Sequence, residues 1–338
     1  MQPAKKQLDP ALSLAASAQA SFNRGFASEV AAGLRKSPQK ELPSKYLYDE
    51  VGSALFEAIT SLPEYGVTRA EERLIVNHAA AMIDSLPADT ATIAELGSGS
   101  GRKTRWLLSA AAARNGAAGV TYCPIEISPS ALQQCTRELA DIPGVSITPY
   151  EADYLDGLAR VARARLPGQA LALLFLGSTI GNFGRLAATR FLSAVHGMLL
   201  PGDALLLGAD LAKPVATLID AYDDPVGVTA AFNLNLLSRI NRTLDADFDI
   251  RGFEHQARFN PDARSIEMHL RSRRAQQVRV RAADLTVEFR AGETIWTESS
   301  HKYTAEEVAL MASDAGFDCR RQWVDADWPF AESLLIAR

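Results

Sequence analysis

The stretch Glu95-Leu-Gly97-Ser-Gly99-Ser-Gly101 narrows the folds open to this chain more than any other feature. An apolar run at 92–96 leads into it, and a helix-like stretch at 102–114 follows. Glycines let the backbone come close to a ligand, and a helix N-terminus offers N–H groups without partners. Strand, glycine loop and helix in that order open an α/β fold, and the alternation continues downstream. Further apolar runs lie at 119–127, 145–150, 170–176 and 204–208, with helical stretches at 130–140 and 185–199. Ser128-Pro129 starts a helix, serine as cap and proline at the first helical position. The alternation predicts a parallel sheet covered by helices on both faces.

Before this core, residues 1–27 read as a loosely held lead-in, with a short helix at 28–35. A segment at 42–65 is punctuated by Tyr46, Tyr48, Gly52, Pro63 and Tyr65. Thr68-Arg-Ala-Glu71 has the form of a capping box and predicts a helix to about residue 85. After Asp210 the pattern changes to two helices (214–222 and 229–244) and period-two segments at 253–259, 266–272, 277–280 and 285–289. This predicts an inserted α+β domain at 211–302. A second capping box, Thr304-Ala-Glu-Glu307, opens a helix, and strands at 319–324 and 333–337 return to the sheet. The main domain is therefore 28–210, completed by 303–338.

A net charge of -5 draws neither nucleic acid nor anionic lipid, so a small-molecule substrate is expected. Three cysteines, widely spaced and without a CxxC pair, fit a reducing compartment, and neither a disulfide framework nor a metal site is indicated. The apolar run at 11–20 is too short and too interrupted for a signal peptide or a span, so a cytoplasmic protein is expected.

The dinucleotide fingerprint G-x-G-x-x-G needs a third glycine where this chain has Arg102. That argues against a nicotinamide enzyme. Glu126, at the end of the next strand, is placed to accept from ribose hydroxyls. Asp153, at the third, can take the exocyclic amine of adenine, with Tyr154 beside the ring. Acids at successive strand ends describe an adenosine cradle with no pyrophosphate requirement.

Several motifs resemble the histidine Nα-methyltransferases of ergothioneine biosynthesis. They are Lys45-Tyr-Leu-Tyr-Asp49, Gly52-Ser53, Leu62-Pro-Glu-Tyr65, Thr68-Arg69 and the glycine loop through Lys103. Gly177-Ser-Thr-Ile-Gly-Asn182-Phe183, Ala221-Tyr222-Asp-Asp224 and Ile295-Trp-Thr-Glu298-Ser-Ser300-His-Lys-Tyr303 extend the likeness. The resemblance implies a class I methyltransferase, with a Rossmann-like sheet and an inserted substrate-binding domain. It implies S-adenosylmethionine (SAM) held by Tyr48, Gly97, Gly99, Lys103, Glu126, Asp153 and Tyr154. It implies an amino acid held by Tyr65, Gly177, Asn182, Tyr222, Met268, Glu298 and Ser300, with Tyr65 and Asn182 closest to the chemistry. Two positions depart from the family. Glu126 stands where aspartate is usual, and Gly66-Val67 stands where a second tyrosine and a proline are frequent. Loss of that tyrosine is expected to loosen the pocket wall.

The residue chemistry suits such a substrate. Asn182 and Tyr222 can fix an amino acid's backbone groups, and the Gly177 carbonyl can orient the amine. Glu298 and Ser300, two apart on a strand, share a face and can hold both nitrogens of an imidazole. Tyr65 closes the opposite side with a ring face suited to a trimethylammonium product. Met268 reads more readily as core, since methionine fills gaps anywhere, and His301 as a neighbour rather than a base. The expected reaction is methylation of the histidine α-amine, up to three times, giving hercynine. The alternatives are another amino acid or an indole derivative as substrate, and a non-catalytic SAM-binding subunit. No obligatory protein partner is expected, and oligomeric state is left open.

Overall fold

A computed structural model describes residues 10–338, with side chains from residue 20 onward. The chain opens with α1 (Pro10–Leu34), β1 (Lys40–Glu41), α2 (Glu50–Thr60) and α3 (Val67–Asp84). The alternating part follows: β2 (Thr90–Leu96), α4 (Thr104–Asn115), β3 (Val120–Glu126), α5 (Pro129–Leu139), β4 (Val145–Ile147) and β5 (Tyr150–Glu151). It continues with α6 (Tyr154–Ala164), β6 (Ala170–Phe175), α7 (Arg185–His196) and β7 (Ala204–Asp210). Next come α8 (Val215–Tyr222), α9 (Val228–Leu244), β8 (Phe253–Asn260), β9 (Ser265–Ser272), β10 (Gln276–Val280), β11 (Leu285–Phe289) and β12 (Thr294–His301). The chain closes with α10 (Ala305–Asp314), β13 (Phe317–Val324) and β14 (Phe330–Ala337).

The main sheet runs β13-β14-β7-β6-β2-β3-β4, with β5 also on β3. Its pairs from β7 through β4 are parallel, while β14 is antiparallel to both β7 and β13. Alternate residues of each strand feed opposite cores: Ile93, Ala172 and Leu206 one side, Ala94, Leu173 and Leu207 the other. All of β7 is buried, as a strand covered on both faces must be. β2 has β3 on one side and β6 on the other. The connections therefore diverge at its carboxyl end and leave a crevice there, where ligands of doubly wound sheets bind. This is the expected α/β class with helices on both faces.

β12, β9 and β8, with β1 added at one edge, make a second sheet, and these three strands with the β10-β11 hairpin form the block after β7. Lys40 and Glu41 pair in parallel with Ile295 and Trp296, and α2 packs on α9. The residues before α3 therefore lie against this block, which shares one apolar core with α3 and α4. Among the described residues no helix is long and apolar enough to cross a membrane.

Three local expectations are corrected. Residues 1–9 lie outside the described part, but the rest of the lead-in is helical. Phe26 is fully buried against Tyr46, their ring centroids 4.0 Å apart, because α1 has an aromatic foothold on the block. The first capping box does not form: α3 starts two residues earlier, with Gly66 at the cap position, and Glu71 turns into the interior. The second does form, Thr304 and Glu307 bonding each other's backbone N–H. The run at 145–150 is two short strands, and α6, unread in the sequence, begins at the Asp153 cap.

Candidate active site

The glycine loop lies at the carboxyl end of β2. Gly97 donates its N–H to the Ile125 carbonyl at 2.8 Å, tying the loop to β3. Gly99 has φ +51° and open space where a Cβ would stand. Glu126 is half-buried at the end of β3, its carboxylate accepting from the Ser128 N–H at 2.9 Å and raised from its usual range by burial. Asp153 is exposed, with one oxygen capping α6 through the Asp156 N–H at 3.0 Å. Tyr154 stands next to it, its hydroxyl 3.2 Å from where a Gly97 Cβ would be. The structure thus gathers the loop, Glu126, Asp153 and Tyr154 at the carboxyl end of the sheet's parallel strands.

Lys103 follows the loop, but its ammonium turns inward to the fully buried Glu71 carboxylate. Burial lowers Lys103 to about 8. Glu71 also accepts the Gly177 N–H, so one buried acid links the loop region to the end of β6. Glu332, on β14, faces Lys103, has neither oxygen hydrogen-bonded, and is pushed by burial to about 8.

The other half of the site lines the facing wall. Glu298 and Ser300 project from one face of β12, beyond a bulge between Trp296 and Glu298 that leaves Met268 opposite Glu298. Burial pushes the Glu298 carboxyl up to about 8, against the pull of Lys302 and a hydrogen bond from Tyr48. Asn182 donates to Glu298 Oε1 at 3.3 Å, and Tyr222 donates to Ser300 Oγ at 2.7 Å. Tyr65 is buried, its ring 6.1 Å from Tyr222, with Phe56, Tyr48 and Phe232 extending the aromatic wall. Tyr48, expected on the cofactor, is placed in this aromatic wall with its hydroxyl on Glu298. Met268 is 2% exposed and belongs to the core. His301 turns away, Nδ1 facing the Ala263 carbonyl at 3.2 Å.

Behind this wall lies a buried charge cluster that sequence reasoning missed. Asp210, ending β7, has Lys213 Nζ at 2.5 Å and Lys302 Nζ at 2.8 Å. Burial alone would raise Asp210, but the two ammonium groups hold it below the usual carboxylate range. Trp328 also donates its indole N–H to Asp210 Oδ1 at 3.0 Å. Gly66 is buried against that indole: a Cβ there would enter the ring. The wall expected to loosen at Gly66 is filled from the other end of the chain.

Signals for the missed residues are in the sequence. Lys302 has the same parity as Glu298 and Ser300. Asp210 ends a wholly apolar strand, and Glu71 interrupts the apolar stripe Val67, Ala70, Leu74, Ile75.

Comparison with known proteins matches this arrangement to a named group. A family described as histidine-specific, SAM-dependent methyltransferases matches residues 26–337. The histidine N-alpha-methyltransferase of Mycolicibacterium smegmatis is 43% identical over 309 residues, covering 91% of this chain and 94% of that one. The Mycobacterium tuberculosis protein of the same name is 43% identical over 307 residues, covering 90% and 93%. Ergothioneine biosynthesis protein 1 of Neurospora crassa is 30% identical over 85% of this chain, which spans 32% of that longer protein. The chain belongs to the SAM-dependent histidine-specific methyltransferase family.

Proposed function

We propose that this enzyme transfers methyl groups from SAM to the α-amine of L-histidine, up to three in succession, giving hercynine. The observation that carries the reading is the pairing of Glu298 and Ser300 on one face of β12, inside an aromatic wall and beside Asn182 and Tyr222. A carboxylate and a hydroxyl at that spacing answer the two ring nitrogens of an imidazole; an indole has one nitrogen and would leave a buried polar group unmatched.

The residues at the glycine loop fit SAM. Open space faces Gly99, Glu126 keeps a carboxylate at the end of β3, and Asp153 keeps one oxygen beyond its capping bond. SAM supplies an electrophilic methyl on a sulfonium, which passes in line to a nitrogen lone pair, so the protein's work is positioning. Asn182 and Tyr222 hold the amino acid's backbone groups. Gly177, tethered through its N–H by Glu71, turns its carbonyl to the amine. Tyr65 and the neighbouring rings exclude water and favour the increasingly alkylated nitrogen. The substrate is a small molecule, no obligatory protein partner is invoked, and three unpaired thiols support a cytoplasmic setting.

Incubating the protein with SAM and each of the twenty amino acids, read by mass, tests this. Histidine is expected to gain up to 42 Da, about 14 Da for each of three methylene-equivalent additions, through attack at one positioned amine. Methylation of tryptophan or tyrosine at comparable kcat/KM, or none of histidine, would overturn it.

A further inference from the structure

β12 turns alternate residues to the pocket, and Lys302 continues the face of Glu298 and Ser300 just beyond its end. A lysine ammonium has three protons and no lone pair. Three oxygens meet the one on Lys302, which is 1% exposed: Ser300 Oγ at 2.7 Å, Asp210 Oδ2 at 2.8 Å and Tyr222 Oη at 3.0 Å. Ser300 Oγ and Tyr222 Oη accept from it, and the Asp210 carboxylate stands beside it as the counter-charge. Tyr222 then spends its own proton on Ser300 Oγ, 2.7 Å away. A serine hydroxyl accepts two bonds and donates one. With both acceptor places filled by Lys302 and Tyr222, the Ser300 proton is left for the pocket.

We propose that Lys302 is a positioning residue that fixes Ser300 as a hydrogen-bond donor, so that the pocket takes the substrate's imidazole in its neutral form. The ring N–H then goes to Glu298 and the ring lone pair to Ser300. This rests on histidine being the substrate. An imidazolium has two N–H groups and no lone pair, so one would confront the Ser300 proton with the Lys302 ammonium directly behind it.

Charged and titratable groups of both signs surround the spot. From β12 come Glu298 and, facing away, His301; from β7 and the loop after it, Asp210 and Lys213; from α8, Tyr222. Tyr48 and Tyr65 face it from the aromatic wall, and Tyr303 and Arg185 lie beyond, Arg185 bonding the Lys302 carbonyl at 3.0 Å. Asp210 is shared by two ammonium groups, so Glu298 alone draws a proton toward the ring.

The test is the titration of the bound ring itself. Histidine labelled with 15N in the imidazole is bound to the wild-type enzyme with S-adenosylhomocysteine present, and nitrogen shifts are followed from pH ~5.5 to ~8. One N–H nitrogen and one lone-pair nitrogen are expected down to pH ~5.5, about a unit below the ordinary imidazole value of ~6.5. Two N–H nitrogens at that pH overturn the proposal. Lys302→Met is made together with Asp210→Asn, so that no carboxylate is stranded, and Ser300→Ala keeps the Lys302–Asp210 pair intact. Both should raise the bound ring's pKa by about one unit or more, a tenfold change in proton affinity. Weaker binding with an unchanged titration in Ser300→Ala, or in the double variant where it folds, makes Lys302 merely structural and overturns the proposal. Absence of any bound histidine in wild type overturns the histidine reading itself, and is told apart by the amino-acid screen.

Discussion

Truncating Glu298 to alanine strips the imidazole N–H of its acceptor inside a closed pocket. The loss should be on the order of 2–3 kcal/mol, roughly 30- to 150-fold in kcat/KM for histidine, with SAM affinity unchanged. Steady-state kinetics alongside calorimetry with SAM checks both halves, and an equal fall in SAM affinity would make Glu298 structural. Because burial sets this carboxyl near 8, its ionised fraction grows as pH rises toward that value. The kcat/KM for histidine should climb over the same span, and Glu298→Gln should remove that part of the climb while leaving the part due to the amine. Asp153 needs a different substitution, since one of its oxygens caps α6. Serine caps a helix as well as aspartate does, so Asp153→Ser isolates the ligand contact. SAM binding should weaken by about 1.5–3 kcal/mol with little change in Tm; a fall in Tm alone would leave Asp153 as a cap and nothing more.

Elements were legible where hydrophobic period and caps agreed. β2, β3, β6 and β7, each a largely apolar run, lie within two residues of their expected positions, and the Ser128-Pro129 and Thr304–Glu307 starts hold. The failures share a cause: tertiary contacts overrode a local signal. Thr68 and Glu71 match a capping box, but Glu71 is drawn inside by Lys103 and the Gly177 N–H. Helix α6 has a weak local signal because its cap, Asp153, sits at a strand end where an acid equally suits a ligand. For the site, strand parity was enough to group Glu298 with Ser300, whereas the Asp210–Lys213–Lys302 cluster needs the ends of β7 and β12, which belong to different sheets, brought together, and no spacing reveals that. The loop makes its own demand on its neighbouring helix. Gly101 has φ +75°, and a Cβ there would stand 2.8 Å from Cys135 Sγ and 2.9 Å from Leu139 Cδ1, both on α5. Gly101→Ala should therefore cost about 2 kcal/mol or more and loosen SAM binding by shifting α5 against the loop. Thermal unfolding with and without SAM measures both effects.

For the whole molecule, the buried charges set how stability follows pH. Burial raises Glu95 to about 7 and Glu298 and Glu332 to about 8. Each holds its proton in the folded state at pH values where the unfolded chain has lost it, so stability falls as pH rises through that window. Burial lowers His255, His269 and His301, which works in the opposite sense but only below about 6.5. Lys103 and Lys213, lowered to about 8, add stability as pH rises above that value. The signs leave a fall between about pH 6.5 and 8 and a minimum near 8, on the order of 1–2 kcal/mol for each fully buried carboxyl. Tm measured at constant ionic strength should trace this trough, and Glu332→Gln should make it shallower; a Tm rising steadily from pH 6.5 to 8 would contradict it. The contact between Gly66 and Trp328 also acts at this scale, since it joins the start of α3 to the turn before β14. The two positions share one volume, so neither can be exchanged alone. A relative with a large side chain at the first must carry a small one at the second, and a chimera spliced between them from two such lineages would either clash or leave a hole beside Tyr65. The two residues therefore constrain each other as a single unit, although more than 250 positions separate them in the chain.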